Sequence, residues 1–340
     1  MRKPASTWTG SISRPLGLAL RLAISLGLLI FVLSRLELGT LLEAPYLARW
    51  WPLAAAIGLH LSALALGSLR WWLLLRSHGL RYRARPLFVI YLISAFFNNF
   101  LPTSAGGDLL RMYHIYRQDH GIPIAVSPII TERVLGLFSL VSIASAALLL
   151  IDMEHPLLLS LRGILPAFWL AMAGGLIMLS MRRSIRLLRR LLSRWLHRRP
   201  VDALVRIAES IHTHLRHRAL IAQLLALSLF IHVIVVTSFI ALGHAAGVPI
   251  DVSRFLIAVP LLLASSALPI SIGGLGVREA AGAALFVALG MPAGQAAAVV
   301  LLYVPLLLIS TLPGLVLYLR MKDHRGFLKR ASRAEAELTP

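Results

Sequence analysis

The sequence contains no cysteine, and only 14% of its 340 residues are charged. The lack of cysteine excludes disulfides, thiolate chemistry and cysteine-ligated iron–sulfur clusters. Soluble domains carry about a quarter charged residues. A chain in which 58% of the residues are hydrophobic is therefore not expected to contain a soluble domain of any size. Continuous apolar runs of about 20 residues are long enough to cross a bilayer as helices. The sequence predicts an all-α polytopic membrane protein.

Acidic residues are also scarce, since 14 Asp and Glu stand against 34 Lys and Arg, and the net charge is +20. Such a balance indicates either nucleic acid or an anionic membrane as the partner. Here the arginines lie in short segments between apolar runs, which is typical of cytoplasmic loops, and we expect no nucleic-acid partner. Both termini and the loops 76–86 and 182–218 are predicted on the cytoplasmic side of the cell membrane.

The apolar runs divide the chain into a cytoplasmic N-terminus (1–14), one transmembrane domain (15–320) and a cytoplasmic polar tail (321–340). The first run, near 15–33, is predicted to be a retained helix because no small-residue cleavage site follows it. The other runs are predicted at 52–75, 87–101, 124–151, 163–181, 219–242, 254–271, 277–290 and 295–319.

Part of the basic loop, 201–218, is partly helical by pattern and is expected to lie along the inner membrane surface. It carries His212, His214 and His217. We interpret these histidines as a solvated polar face rather than as metal ligands, because only Glu209 lies nearby as a further ligand.

Two short segments of the form Leu-Pro-x-Ser-x-Gly-Gly interrupt the apolar pattern in the same way. Pro102 and Pro269 are 167 residues apart, and the same offset relates Arg111 to Arg278. The offset extends to the flanking runs, which gives repeat 1 at about 52–151 and repeat 2 at about 219–319. Because the arginine-rich ends of matching runs face opposite sides, the repeat is predicted to be inverted, a pattern typical of membrane transporters. The runs near 15–33 and 163–181 are then two additional helices.

Each interruption is predicted to be the tip of a re-entrant hairpin of two half-helices, because proline and a glycine pair break a helix at membrane depth. Two full crossings would satisfy the charge pattern equally well. The second half-helix starts at the glycine pair, and its N-terminal end can bind an anion, with Asp108 as a predicted N-cap. The tip residues are Pro102, Gly106, Gly107 and Asp108 in repeat 1 and Pro269, Gly273, Gly274 and Gly276 in repeat 2.

Charged side chains inside apolar runs usually mark a substrate pathway or a buried ion pair. We predict that a lipid headgroup is contacted by residues at and near the two tips, namely Arg111, Arg278, Ser104, Ser271, Glu132, Arg133 and Glu279. The alternative for the charges is a structural ion pair, such as Glu132 with Arg111, and both possibilities stay open at this stage. Arg70, which lies beside two tryptophans, is expected to anchor its helix at the membrane interface.

The sequence has no nucleotide-binding, serine-hydrolase or zinc-protease motif. We therefore predict no catalytic residue, no cofactor and no metal, and expect that the chain is not an enzyme.

The segment Asn98-Asn99-Phe100-Leu101-Pro102, the pair Glu132-Arg133 and the segment from Leu268 to Glu279 resemble the transmembrane region of lysylphosphatidylglycerol synthases. This region also occurs alone, in proteins called flippase-like, and the resemblance covers about 15–320. It implies a transporter that moves an anionic phospholipid or a polyprenyl-linked lipid between leaflets, through a cleft between the two hairpins.

The chain ends at Pro340 without a segment that resembles the soluble synthase domain, so the resemblance also implies a separate lipid-modifying enzyme as a possible partner. Two alternatives stay open. The first is a membrane-embedded transferase, or its accessory subunit, that acts on a lipid-linked donor. The second is a membrane scaffold that recruits a lipid synthase.

The inverted topology can be tested by cysteine labelling, because the native chain has no cysteine of its own. We expect Leu80→Cys and Ala246→Cys to react with a membrane-impermeant maleimide from opposite sides of the membrane. These two positions follow matching runs of the two repeats. Labelling of both from the same side would contradict the inverted repeat.

Overall fold

The computed structural model describes residues 50–100, 106–118, 120–150, 156–195, 197–266 and 277–320. This part of the chain forms eleven α-helices and no strand, which confirms the predicted all-α class. The predicted run near 15–33 and the tip residues in 101–105 and 267–276 lie outside the described residues. The helices are α1 (Trp50–Ser77), α2 (Ala84–Phe100), α3 (Gly106–Tyr116), α4 (Ile122–Leu150), α5 (Pro156–Ser180), α6 (Arg182–Leu192), α7 (Arg198–Leu215), α8 (Arg218–Ala245), α9 (Val252–Ser266), α10 (Val277–Ala288) and α11 (Ala293–Arg320).

Five of these helices, α1, α4, α5, α8 and α11, are long and apolar enough to cross a membrane. Their bounds lie within a few residues of the predicted apolar runs, except that α5 begins at Pro156 rather than near 163. The ends of these helices can be predicted because backbone groups in lipid must be hydrogen-bonded within the helix. Each helix therefore extends over its whole apolar run and ends at a charged loop. The chain is therefore a multi-pass membrane protein.

Four of the other helices are too short to cross a membrane: α2 has 17 residues, α3 has 11, α9 has 15 and α10 has 12. At a rise of about 1.5 Å per residue they extend roughly 16–26 Å, less than the roughly 30 Å of a hydrocarbon core. They form two consecutive pairs, α2–α3 and α9–α10, and each pair flanks one of the two predicted tips.

The order of helix lengths in α1–α4 recurs in α8–α11. The helices α1 and α8 begin 168 residues apart, at positions 50 and 218, and α4 and α11 begin 171 residues apart, at positions 122 and 293. The packing follows the same correspondence, because α2 packs against α11 as α9 packs against α4. Likewise α1 packs against α11 as α8 packs against α4, and α1 packs against α8 directly.

The two helices α1 and α8 run antiparallel. Arg70, near the end of α1, donates a hydrogen bond to Ser228, near the beginning of α8, at 2.8 Å. One turn further along α1, Leu74 lies in the same apolar cluster as Leu224 of α8. The helices α1 and α8 thus form an extensive antiparallel contact in the described bundle.

The short helix α2 lies against its neighbours backbone to backbone. A Cβ atom added to Gly107 of α3 would overlap the carbonyl group of Ser94 in α2, and one added to Gly314 of α11 would overlap the carbonyl of Leu92. Only glycine permits contacts this close. The two glycines therefore hold α3 and α11 against the same helix.

We expect Gly107→Ala to lower the thermal unfolding midpoint of the purified protein, since the new methyl group overlaps the backbone of α2. The matched control is Gly174→Ala in α5, where an added Cβ meets nothing within 4 Å. This control should leave the midpoint unchanged or raise it slightly, because alanine is the better helix former. Equal midpoints for the two variants would contradict the close approach of α3 and α2.

Candidate functional site

A chain of alternating charges links the helices α1, α3 and α4. Glu132 of α4 accepts hydrogen bonds from Arg111 Nη1 at 2.6 Å and from Arg70 Nε at 3.4 Å. Asp108 of α3 accepts from Arg111 Nη2 at 2.5 Å, and its second oxygen accepts from Arg133 Nε at 2.8 Å. Arg111 thus bonds both carboxylates, and we call these five side chains the charge network.

The inner members of the charge network are removed from solvent. Glu132 and Asp108 are 3% and 2% exposed, and Arg111 is 5% exposed, whereas the side chain of Arg133 is 40% exposed. Among the five described side chains of the network, three guanidinium groups face two carboxylates, so these five carry one excess positive charge. Burying single charges at membrane depth is costly, and mutual pairing is what makes this arrangement tolerable.

Two aromatic rings fix the plane of the Arg111 guanidinium. Its Cζ atom lies 5.3 Å from the ring centroid of Trp71 and 4.8 Å from that of Tyr91. Both distances are within the range of a cation–π contact. Trp71 is fully buried, so the tryptophan next to Arg70 faces the protein interior rather than a membrane interface.

The beginning of α3 is held by Asn98 of α2. The side-chain Oδ1 of Asn98 accepts the backbone N–H of Gly107 at 2.7 Å and that of Asp108 at 3.3 Å. The prediction that Asp108 is the N-cap was wrong, because Asp108 lies inside the first turn and its carboxylate bonds two arginines. A side chain from the preceding helix bonds the free N–H groups instead.

A cavity of about 190 Å³ opens beside the charge network, between α1, α2, α3 and α11. Much of its lining is polar although the surrounding bundle is apolar. The lining residues are His60, Leu64, Tyr91, Ser94, Ala95, Asn98, Asn99, Arg111, Leu307 and Thr311. Arg111 therefore connects the buried charge network to an accessible space.

Two of the residues that line this cavity each carry a buried polar side-chain atom that is unsatisfied. Within the described ranges, His60 Nδ1 and Ser94 Oγ have no hydrogen-bond partner, and their residues are 7% and 2% exposed. Leaving such a group unpaired costs about 1–3 kcal/mol. By contrast, Asn99 Nδ2 is satisfied across the cavity wall by Thr311 Oγ1 at 3.1 Å. Unsatisfied groups at a cavity are what a site for a polar ligand needs.

The predicted site residues separate into two groups. The structure brings Arg111, Glu132 and Arg133 together, in the ion-paired arrangement that was one of the two predicted alternatives. Arg278 and Glu279 lie on α10, and their side chains are outside the described part of the molecule. Seven further predicted residues lie entirely outside the described residues: Ser104, Ser271, Pro102, Pro269, Gly273, Gly274 and Gly276.

The prediction that Arg70 anchors α1 at the membrane interface was wrong. Arg70 is 9% exposed and bonds Glu132 and Ser228 inside the bundle. The residues His60, Tyr91 and Thr311 were also missed as site residues. His60 and Arg70 could have been found from the sequence, because a histidine or an arginine within an apolar run marks a candidate site. No such sequence signal marks Thr311.

The solvated histidine face predicted for the basic loop was wrong for two of its three members. His217 is exposed, but His212 is 7% exposed and His214 is fully buried. His214 Nδ1 lies 2.8 Å from Ser77 Oγ, and its Nε2 lies 3.1 Å from Nε2 of His78. The helix α7 therefore packs onto the ends of α1 and α4 instead of lying free on a surface.

This histidine pair is neutral at physiological pH. Burial lowers the pKa of His214 to about 3 and also lowers the pKa of His78. Ser77 donates its hydroxyl proton to the carbonyl of Leu74 at 2.7 Å, so it accepts a proton from His214 Nδ1. The Nε2 atom of His214 is then an acceptor for His78. The pair fastens α7 to the bundle and does not act as a switch near neutral pH.

Comparison with known proteins agrees with this membrane bundle. The family model described as the lysylphosphatidylglycerol synthase TM region matches residues 18–314. The chain belongs to this family. Neither the curated proteins nor the solved structures give a match. Membership of the lysylphosphatidylglycerol synthase TM region family confirms the predicted resemblance and links the chain to lipid metabolism.

The charge network predicts a specific pattern of stability. Glu132→Gln should lower the thermal unfolding midpoint strongly, since breaking a buried pair costs about 3–5 kcal/mol. The double variant Glu132→Gln with Arg70→Gln should recover a large part of that loss, because it also removes the guanidinium that has lost its carboxylate, while Arg111 keeps Asp108. The control is Arg189→Gln, which removes an exposed pair and should have little effect.

An unfolding midpoint of Glu132→Gln equal to that of Arg189→Gln would mean that the buried contacts do not hold the helices together.

Proposed function

We propose that this chain moves a lipid headgroup between the two leaflets, with the headgroup passing through the cavity beside Arg111. The observation that carries the proposal is the pair of buried, unsatisfied groups, His60 Nδ1 and Ser94 Oγ, at a polar cavity inside an apolar membrane bundle. A bound headgroup with oxygen atoms would satisfy both groups. Family membership supports a lipid as the ligand.

The excess positive charge of the network favours an anionic headgroup, either of a phospholipid or of a polyprenyl-linked lipid. Arg111 lines the cavity while it bonds two carboxylates, so it supplies attraction without being an isolated buried charge. A ligand anion that approaches Arg111 does not need to replace either carboxylate, since guanidinium carries five donors. Moderate attraction of this kind suits a transporter, which must also release its cargo.

We further propose that the two halves form an inverted repeat with two re-entrant hairpins. Three observations support this arrangement. The helices α1 and α8 pack antiparallel, and each half packs its first two helices against the last helix of the other half. A pair of short helices also flanks each predicted tip. Because α1 and α8 cross the membrane in opposite directions, the pseudo-two-fold axis that relates the two repeats lies in the membrane plane. Transporters with such repeats alternate access by moving one half against the other.

The proposed orientation follows from the arginines. The basic segments 76–86 and 182–218, and both termini, lie on the cytoplasmic side of the cell membrane by the positive-inside rule. In agreement with this common side, Ser77 at the end of α1 contacts His214 near the end of α7.

Transport is proposed in preference to catalysis because Asp108 and Glu132, the buried carboxylates among the described residues, are both held by arginines. A general acid or base must lie within hydrogen-bond reach of the substrate proton that it transfers, and these carboxylates bond arginines instead. Any chemical modification of the lipid is assigned to a separate enzyme. The cavity also argues against a purely structural scaffold, which would not need unsatisfied polar groups inside it.

The proposal is tested with purified protein in vesicles that contain a fluorescent phospholipid, by following its accessibility to dithionite. The double variant His60→Leu with Ser94→Ala should slow leaflet exchange roughly fivefold or more, since each lost hydrogen bond contributes about 1 kcal/mol. It should stay folded, because the change removes buried polar groups that have no protein partner among the described residues.

The matched control is Ser145→Ala, which changes another buried serine without a partner in the described bundle, away from the cavity. Its exchange rate should equal that of the wild type. If the double variant also exchanged lipid at the wild-type rate, the headgroup would not pass through this cavity.

A further inference from the structure

The helix α6 has a wider apolar surface than its neighbour covers. Ile185, with Leu188 and Leu192, packs against an apolar cluster on α7. Leu187 and Leu191, which continue the apolar side of α6, remain 49% and 48% exposed. Trp195, just after the helix, is 88% exposed. An exposed stripe of two leucines and a tryptophan therefore runs along α6, beside the face that α7 occupies.

Arginines occupy the rest of the helix. Five lie within α6, Arg194 follows, and the segment 182–195 contains no acidic residue. At 100° per residue the five arginines fall in one arc opposite the apolar side. Only Arg189 has an acidic contact in the described chain, an exposed pair with Asp202 of α7 at 3.2 Å. The helix is amphipathic, with arginine on one side and leucine on the other.

The helix α6 follows directly after a membrane-crossing helix, so its exposed leucines and Trp195 lie close to the membrane surface. The helix begins two residues after the end of α5, a membrane-crossing helix of which almost nothing is buried in the protein. At the end of α5, Ile177 and Met178 are 58% and 54% exposed, which is suited to contact with acyl chains. Met181, between the two helices, is 52% exposed, so exposed apolar side chains follow one another along the chain from α5 into α6.

We infer that α6 lies in the plane of the membrane interface and binds anionic phospholipids of that leaflet. Leu187, Leu191 and Trp195 enter the boundary between headgroups and acyl chains, where amphipathic helices with leucine and tryptophan on one face settle. The arginines bond lipid phosphates, and each adds attraction to an anionic surface. The neighbouring segment 201–218, which the sequence analysis assigned to this position, packs its apolar side against α6, and its Ser210 and His214 contact α4 and α1.

This lipid contact is separate from the cavity beside Arg111, and it does not depend on the transport proposal. We favour the leaflet surface over a protein partner for two reasons. The charged residues of 182–195 are all arginines, and the exposed apolar side chains of α6 follow those of the little-buried helix α5 along the chain. The stripe is also narrow, with three exposed side chains along one helix.

The test uses the full chain in lipid nanodiscs and the fluorescence of Trp195, obtained as the difference between the wild type and Trp195→Phe. We expect this signal to be quenched by phospholipids brominated on the acyl chain and to be protected from aqueous iodide. Quenching by iodide but not by bromine would place Trp195 in water and overturn the inference. Protection from both quenchers would indicate a protein partner, or a second copy, and would overturn it as well.

The preference for anionic lipid is tested with brominated phosphatidylglycerol against brominated phosphatidylcholine in mixed nanodiscs. The wild-type signal should be quenched more by the anionic lipid, and Arg186→Gln with Arg190→Gln should reduce the ratio of the two quenching efficiencies towards one. The control with the same loss of charge combines Arg81→Gln, between α1 and α2, with Arg85→Gln, in the first turn of α2, and should leave the ratio unchanged. An unchanged ratio in the α6 variant, or equal quenching in the wild type, would remove the role of the arginines.

Discussion

The guanidinium of Arg111 bonds the carboxylates of Asp108 and Glu132, and this double contact joins α3 to α4. Its consequences extend beyond these two helices, because Glu132 also receives Arg70, and Arg70 reaches α8 through Ser228. Four helices are thus tied to one polar chain inside an apolar bundle. In lipid, where apolar contact alone gives helices little reason to associate, buried polar contacts specify which helices meet and in which register.

The charge network belongs to only one half of the molecule. By the helix starts, the counterpart of Arg70 in α8 is Ser238 and the counterpart of Glu132 in α11 is Tyr303. Tyr303 packs on Phe239, with ring centroids 4.4 Å apart, inside the large apolar core. The same helix arrangement is therefore held by ion pairs in one half and by aromatic packing in the other. Among the described residues, the charged positions of the first half that have these counterparts therefore correspond to uncharged positions in the second.

The sequence predicts the helices well and the site only in part. Apolar runs between basic loops determine where helices begin and end, and the pairing of Glu132 with Arg111 was one of the predicted alternatives. Arg70 was misassigned because an arginine near the end of an apolar run suits an interface and a buried pair equally well until Glu132 is seen beside it. His214 was misassigned because its partner, His78, lies 136 residues earlier.

The cavity could not be predicted from local patterns at all, since its walls come from distant parts of the chain. Its contact between Asn99 and Thr311 spans 212 residues. A serine such as Ser94 is common in membrane helices. It can be recognised as a site residue only once the fold shows that the neighbouring helices leave its hydroxyl without a hydrogen-bond partner. The close contact at Gly314, which brings α11 against α2, is equally invisible before the fold is known.

The walls of the cavity differ in how firmly they are held. Arg111, on α3, is fixed by two carboxylates and two aromatic rings. The opposite wall is the part of α11 between Pro305 and Pro313, which contributes Leu307 and Thr311. Each proline removes one backbone hydrogen bond from the helix, so bending there breaks fewer contacts than separating the ion pairs would. If passage of a headgroup requires the cavity to widen, α11 is the wall that yields at the lower cost, while the charge network keeps the anion-attracting side in place.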